Sequence, residues 1–232
     1  MIKGYIFDYG GTLDTSGCHW GKMLWHAYQH QGVPVTEQQF RDAYVYAERT
    51  LGRNPIIQTS YNFHKTLSIK IRLEMEQLCV SGAWDADEKM FNGKHDAVLE
   101  ELYSQVKQIT DHSRQVLEKL HVTYPMVLVS NFYGNIHVVL QEFGLAHLFS
   151  DVVESAVVGI RKPDSRIFSL GVEKLGLKPE EVMVVGDSFY KDIEPAQKAG
   201  CKATWFKGEG WTDATYDESI PDKVITDLDQ LL

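Results

Sequence analysis

Apolar residues along this chain follow two rhythms. Short dense runs at Gly4–Phe7, Met126–Val129, Val152–Val158, Val182–Val185 and Ala203–Phe206 read as buried strands. From Met126 onward, helical stretches separate these runs, which is the alternation of a parallel α/β sheet. Glycine punctuates the helices: Gly144 after Val138–Phe143, Gly176 after Ile167–Leu175 and Gly200 after Pro195–Ala199 are placed as left-handed stops. Pro163 is expected in the first turn of a helix, where its fixed φ fits.

Between Ser16 and Ser104 the rhythm changes. No strand-like run occurs there, and amphipathic segments at Trp20–Gln31, Glu37–Leu51, Phe63–Leu78 and Lys89–Tyr103 predict helices. Thr36 with Gln39 three residues on makes a capping box for the second. The expected organisation is a core of residues 1–15 and 105–232 with a helical insertion over 16–104. Its aromatic residues (Trp20, Trp25, Tyr28, Tyr44, Tyr46, Tyr61 and Phe63) are expected to pack a helix-bundle core rather than touch a ligand.

Composition narrows the possible roles. With 232 residues and 44% hydrophobic content the chain can bury one large core with a smaller insertion. No apolar run approaches the ~20 residues of a membrane span. The first strand leaves no room for a secretory or transit segment, which predicts a cytoplasmic protein. Cys18, Cys79 and Cys201 are odd in number and scattered, as expected of reduced thiols. A net charge of −9 argues against nucleic acid and acidic membranes as partners. A small anionic substrate stays compatible, since local cations and a metal reverse the sign of a single pocket. Nothing in the sequence sets the oligomeric state.

Four separated pieces carry candidate chemistry. Asp8 ends the first strand and runs into the turn Gly10-Gly11-Thr12, as a nucleophile, a metal ligand or a simple turn cap would. The run Val127–Val129 ends in Ser130 and Asn131, whose hydroxyl and amide suit either a phosphoryl oxygen or a turn. Lys162 precedes Pro163, a stiff junction that can aim its ammonium at an anion; a solvated surface lysine is the alternative. Asp187 and Asp192 flank the start of a helix. Two crowded carboxylates repel unless a cation lies between them, and hard oxygens suit Mg²⁺.

In order and placement, D-Y-G-G-T from Asp8, V-S-N ending at Asn131, K-P-D from Lys162 and G-D-S-F-Y-K-D from Gly186 resemble the motifs of the haloacid dehalogenase-like (HAD) hydrolase superfamily. The helical insertion resembles the cap found between the first and second motifs of one group of its members. The resemblance spans nearly the whole chain. It implies an α/β fold: a three-layer Rossmann-like parallel sheet core with an inserted α-helical cap domain. It implies that Asp8 attacks phosphorus to form an aspartyl-phosphate, which water then hydrolyses. Mg²⁺ is implied as the cofactor, held by Asp8, Asp187 and the Gly10 carbonyl, with Asp192 helping through water or by orienting Lys162. Lys162 would offset repulsion between nucleophile and substrate, and Gly11, Ser130 and Asn131 would complete a cradle for a small phosphorylated substrate.

One position departs from the pattern. Phosphatases of this superfamily usually carry an aspartate two residues after the nucleophile, and here that residue is Gly10. Its carbonyl remains, but the carboxyl that protonates the leaving oxygen and later activates water is gone. Such help is worth roughly 10²–10⁴ in rate, or ~3–5 kcal/mol. Three compensations are open: Asp14 in the same turn, a histidine of the insertion (His19, His26, His30 or His64), or a substrate that needs no acid. The leading reading is a Mg²⁺-dependent phosphatase for a small metabolite. A non-catalytic phosphate-binding or interaction module stands beside it. So does carbon–phosphorus hydrolysis through a Schiff-base lysine, with Lys22 or Lys65 as candidates. Metal-free dehalogenases carry tyrosine at this position, and the Asp187/Asp192 pair argues against that branch.

Overall fold

A computed structural model describes residues 1–232. Six strands form one sheet: β1 (Gly4–Phe7), β2 (Met126–Ser130), β3 (Asp151–Glu154), β4 (Val182–Gly186), β5 (Lys202–Phe206) and β6 (Lys223–Ile225). Their order is β3-β2-β1-β4-β5-β6, with every neighbouring pair parallel. The two-residue period of a strand sends alternate side chains to opposite faces. Tyr5, Phe7, Met126 and Leu128 pack on one face, and Ile6, Val127, Val129 and Val184 on the other. The first face is covered by α4 (Glu88–His121) and α5 (Ile136–Glu142), through Val116, Leu117, Leu120 and Val139. The second is covered by α7 (Arg166–Leu175) and α8 (Glu194–Lys198), through Ile167, Phe168, Val172 and Ala196. These are the three layers expected of a Rossmann-like α/β fold. The chain passes to β2 on one side of β1 and to β4 on the other, so a crevice opens at the carboxyl ends of β1 and β4.

The insertion contains α1 (Trp20–His30), α2 (Glu37–Arg53), α3 (Phe63–Val80) and the first part of α4. The expected capping box is present: Gln39 N–H donates to Thr36 Oγ1 at 3.3 Å, and Thr36 N–H to Gln39 Oε1 at 2.9 Å. The last helix differs from its sequence-based extent. It continues without a break to His121, 34 residues in all, because Val106, Thr110, Ser113, Val116, Leu117 and Leu120 keep the buried stripe going past Tyr103. At about 50 Å, α4 runs through the expected limit of the insertion at residue 104, and Ser113 Oγ donates to Leu13 O at 2.8 Å in the first motif's turn.

Two other expectations are corrected. The run Val152–Val158 is a strand only to Glu154 and then becomes the short helix α6 (Ser155–Val158). The Glu154 carboxylate accepts Gly134 N–H at 2.6 Å and the chain turns outward, leaving Val157 73% exposed. Pro163 does not open a helix. It lies in a turn closed by Asp164 N–H donating to Arg161 O at 3.0 Å, and α7 begins only at Arg166, whose N–H the Asp164 carboxylate accepts at 3.0 Å. β6 was too short and too flanked by charge to be predicted.

The interior of the insertion holds one conspicuous acid. Glu74 is fully buried; its Oε2 accepts the Tyr28 hydroxyl at 3.1 Å, and its Oε1 has no partner. Burial pushes its carboxyl up to about 8, against the pull of Lys70 and the Tyr28 bond. The folded protein therefore keeps a proton that the unfolded chain loses near pH 4.5, and stability falls as pH rises from there to about 8. Glu74→Gln removes this titration while keeping the shape. Thermal midpoints of the two proteins should lie close together near pH 5, with the variant several degrees higher at pH 9.

Candidate active site

The crevice is assembled from strand ends. Register pairs Phe7 with Leu128 on one side and with Val185 on the other, so Asp8, Ser130 and Asp187 leave the sheet side by side. Asp8 N–H donates to Val185 O at 3.0 Å, which fixes the start of the turn. Gly11 has φ +102°, and any Cβ there would overlap the Asp187 carboxylate. Thr12 binds the same acid twice: its Oγ1 accepts Asp187 N–H at 3.0 Å and donates to Oδ1 at 3.3 Å. Ser130 is buried, lines the cavity and spends its hydroxyl on no protein group.

Lys162 ties the second half of the site together. Its Nζ lies 2.6 Å from Asp8 Oδ1 and 2.7 Å from Asp192 Oδ1, with all three side chains buried. Desolvation works against the charged ammonium, but the two carboxylates outweigh it and hold the lysine protonated. Burial lifts Asp8 above the usual carboxylate range while Lys162 pulls it down. Asp187 is pushed up more strongly, by burial and by Asp192 and Asp8 beside it.

Asn131 lines the cavity and also braces Lys162: its Oδ1 accepts Lys162 N–H at 2.9 Å and its Nδ2 donates to Lys162 O at 3.1 Å, so its amide clamps the lysine backbone.

Oxygens of Asp8, Asp187 and Asp192 lie within 4.8 Å of one another, a donor set that fits a hard divalent cation. The three are not equivalent. Asp192 has both oxygens engaged, Oδ1 by Lys162 and Oδ2 by Ser188 N–H at 3.0 Å. Asp187 has no cationic partner, so the uncompensated charge that a metal would relieve sits there.

Above this floor lies a cavity of about 130 Å³. Trp20, Tyr44 and Phe63 line it, a correction to their expected confinement to the bundle core. Of the four candidate histidines only His19 reaches it. Burial, with Lys191 and Lys70 nearby, lowers the His19 pKa to about 3. Its Nδ1 accepts Gly21 N–H at 3.0 Å, so the neutral ring carries its proton on Nε2 and is a donor but not an acid. His26, His30 and His64 instead pair with Glu209, Glu101 and Glu100. Asp14 also lines the cavity, accepting Gly11 N–H at 2.8 Å and Trp20 Nε1–H at 2.9 Å, and burial lifts its carboxyl to about 7. Neither Lys22 nor Lys65 lines the cavity; Lys70 does, paired with Glu48 at 2.7 Å. No motif or spacing singles out Lys70 in the sequence; the packing of α2 on α3 brings it to Glu48.

The loop after β5 packs behind two residues of the cavity wall. Trp211 packs against His19 and Tyr44, with ring centroids 5.1 and 4.9 Å apart, and the Arg41 guanidinium lies 4.1 Å from its ring. Arg41 Nη2 also donates to Trp211 O at 2.8 Å. The ring rests directly on Gly21, where a Cβ would overlap it. Gly21→Ala should therefore dislodge Trp211 and cost about 1–3 kcal/mol. In a Trp211→Ala background the same change should cost much less, which chemical denaturation of the four proteins in the cycle would reveal.

Comparison with known proteins agrees with this architecture. The family model of the haloacid dehalogenase-like hydrolases matches residues 2–200. A glyceraldehyde 3-phosphate phosphatase from Pyrococcus furiosus is 40% identical over 90 residues, which is 38% of this chain and 37% of that protein. A phosphoglycolate phosphatase from Vibrio parahaemolyticus is 31% identical across 100% of this chain and 95% of its own length. The HAD-hydrolase YfnB from Bacillus subtilis, solved bound to magnesium, shares the fold with a TM-score of 0.61 at 20% identity, over 99% of this chain and 96% of that one.

Proposed function

This chain belongs to the haloacid dehalogenase-like hydrolase family, and we propose that it is a Mg²⁺-dependent phosphatase acting on a small phosphorylated metabolite through Asp8. The observation that carries the reading is the buried Lys162, 2.6 Å from Asp8 and 2.7 Å from Asp192, beside an Asp187 that lacks a cation. The phosphatase names of the relatives from Pyrococcus furiosus and Vibrio parahaemolyticus support it.

In this reading a carboxylate oxygen of Asp8 attacks phosphorus, the phosphorus–oxygen ester bond breaks, and the alcohol leaves after gaining a proton. Water then attacks the aspartyl-phosphate, releasing inorganic phosphate and restoring Asp8. Asp8, Asp187 and the Gly10 carbonyl would hold Mg²⁺, which supplies charge neutralisation and polarises the phosphoryl oxygens. Lys162 shields the incoming dianion from the acids. Asp192 aims that lysine, and Asn131 fixes its backbone. Ser130 and the Gly11 turn hold the equatorial oxygens. Residues 16–104 act as the cap that excludes water.

A second reading, a phosphate-binding module without turnover, is favoured by the missing carboxyl at Gly10 together with a His19 that stays neutral. Carbon–phosphorus hydrolysis has less support. A Schiff-base lysine must be deprotonated, and Lys70, the cap lysine in the cavity, is held protonated by Glu48.

A panel of phosphate esters assayed with Mg²⁺ and with chelator separates the readings. Turnover should require Mg²⁺, fall to background with chelator and return when the metal is restored. Calorimetric binding of phosphate without turnover of any ester would support the module, and neither binding nor turnover would sink both.

A further inference from the structure

We propose that the cap wall of the cavity is built to hold a hydroxylated leaving group, so that the preferred esters are phosphates of small polyols or sugars. The proposal rests on the phosphatase reading only for the position of the phosphoryl end, at Lys162.

The wall is made by Glu48 from α2 and Lys70 from α3. Lys70 Nζ lies 2.7 Å from Glu48 Oε1, and the Tyr133 hydroxyl donates to that same oxygen at 3.1 Å. Glu48 Oε2 therefore accepts no hydrogen bond from the protein. The Lys70 ammonium has three N–H donors, and Glu48 is its only hydrogen-bonding partner. The rings of Tyr44 and Trp20, with centroids 4.8 and 5.7 Å from Nζ, hold the ammonium without consuming its donors. The Tyr44 hydroxyl likewise makes no bond within the protein. All these groups line the cavity.

Such a pair is neutral overall, and it offers a donor and an acceptor side by side. A second anion on the substrate would meet the Glu48 carboxylate, and a cation would meet Lys70. A hydroxyl suits both, donating to Oε2 and accepting from Nζ. An ester without that hydroxyl leaves Glu48 Oε2 and the spare N–H donors of Lys70 without a partner when it covers them, which is the arrangement that discriminates most strongly. Arg161 and Lys191, exposed at the mouth of the cavity, lie outside the pair and draw in any phosphate dianion.

The test uses matched esters: glycerol 1-phosphate against propyl phosphate, and glucose 6-phosphate against cyclohexylmethyl phosphate, with phosphoglycolate as the carboxylate case. Binding is measured calorimetrically to the Asp8→Asn protein with Mg²⁺, and kcat/KM with the wild type. At least one hydroxylated ester should exceed its partner about tenfold or more in both measurements. In Lys70→Met and Glu48→Gln proteins, confirmed as folded by circular dichroism, that ratio should collapse to within about threefold. Ratios near one in the wild type, ratios that survive both substitutions, or phosphoglycolate ahead of both hydroxylated esters would each overturn the proposal. A binding preference that persists without turnover would leave it standing and count against the phosphatase reading instead.

Discussion

Asp8→Asn should lower the turnover of every phosphate ester by roughly 10⁴-fold or more, while the protein stays folded. The amide has the shape of the carboxylate but lacks the nucleophilic charge, and no second acid stands in the same place. Asp187 is held by Thr12, and Asp192 has both oxygens bound by Lys162 and Ser188. Stability should survive because the substitution removes one of three crowded acids and leaves Lys162 its 2.7 Å contact with Asp192. A thermal midpoint equal to or above that of the wild type, together with lost turnover, would separate chemistry from folding. Turnover close to the wild-type rate would remove Asp8 from the mechanism.

Legibility in the sequence followed the range of the interactions involved. Asp8, Ser130 and Asp187 could be read because each ends an apolar run, and a parallel sheet delivers all its strand ends to one edge. Lys162 and Asp192 could be read from a stiff junction and a helix start, although the junction proved to be a turn well ahead of α7. The cap wall could not be read. Glu48 and Lys70 lie on the polar faces of amphipathic helices and Tyr44 reads as bundle core, until the packing of α2 on α3 brings the three together at the cavity. The same limit hid Trp211, a loop residue whose place on Gly21 is set by a contact between parts of the chain distant in sequence. The helix read over Lys89–Tyr103 runs on for a local reason: the buried stripe of α4 continues past Tyr103, and no glycine or proline stops it there.

Gly10→Asp should raise hydrolysis of an alkyl phosphate by about 10²–10⁴, equivalent to ~3–5 kcal/mol of barrier, and change an aryl phosphate by about tenfold at most. The site has room for the side chain. A Cβ at position 10 would meet only Trp20 Cδ1 and Nε1, each at the ordinary distance of 3.8 Å, and the backbone lies outside the left-handed region. Gly10 also borders the cavity next to Asp8. An alkoxide leaves poorly without a proton, whereas a phenolate carries its own charge well, so a new acid helps the first far more than the second. His19 cannot already fill this role, because burial keeps it neutral with its proton on Nε2. Asp14, whose carboxyl burial lifts to about 7, accepts Gly11 N–H and Trp20 Nε1–H and lines the cavity, so it is the group a null result would point to. If alkyl and aryl esters gain equally, or neither gains, a group other than residue 10 already delivers the proton, or the chemical step does not limit the rate. A gain confined to the alkyl ester identifies proton donation as the one function missing from a site otherwise equipped to bind and attack a phosphoryl group.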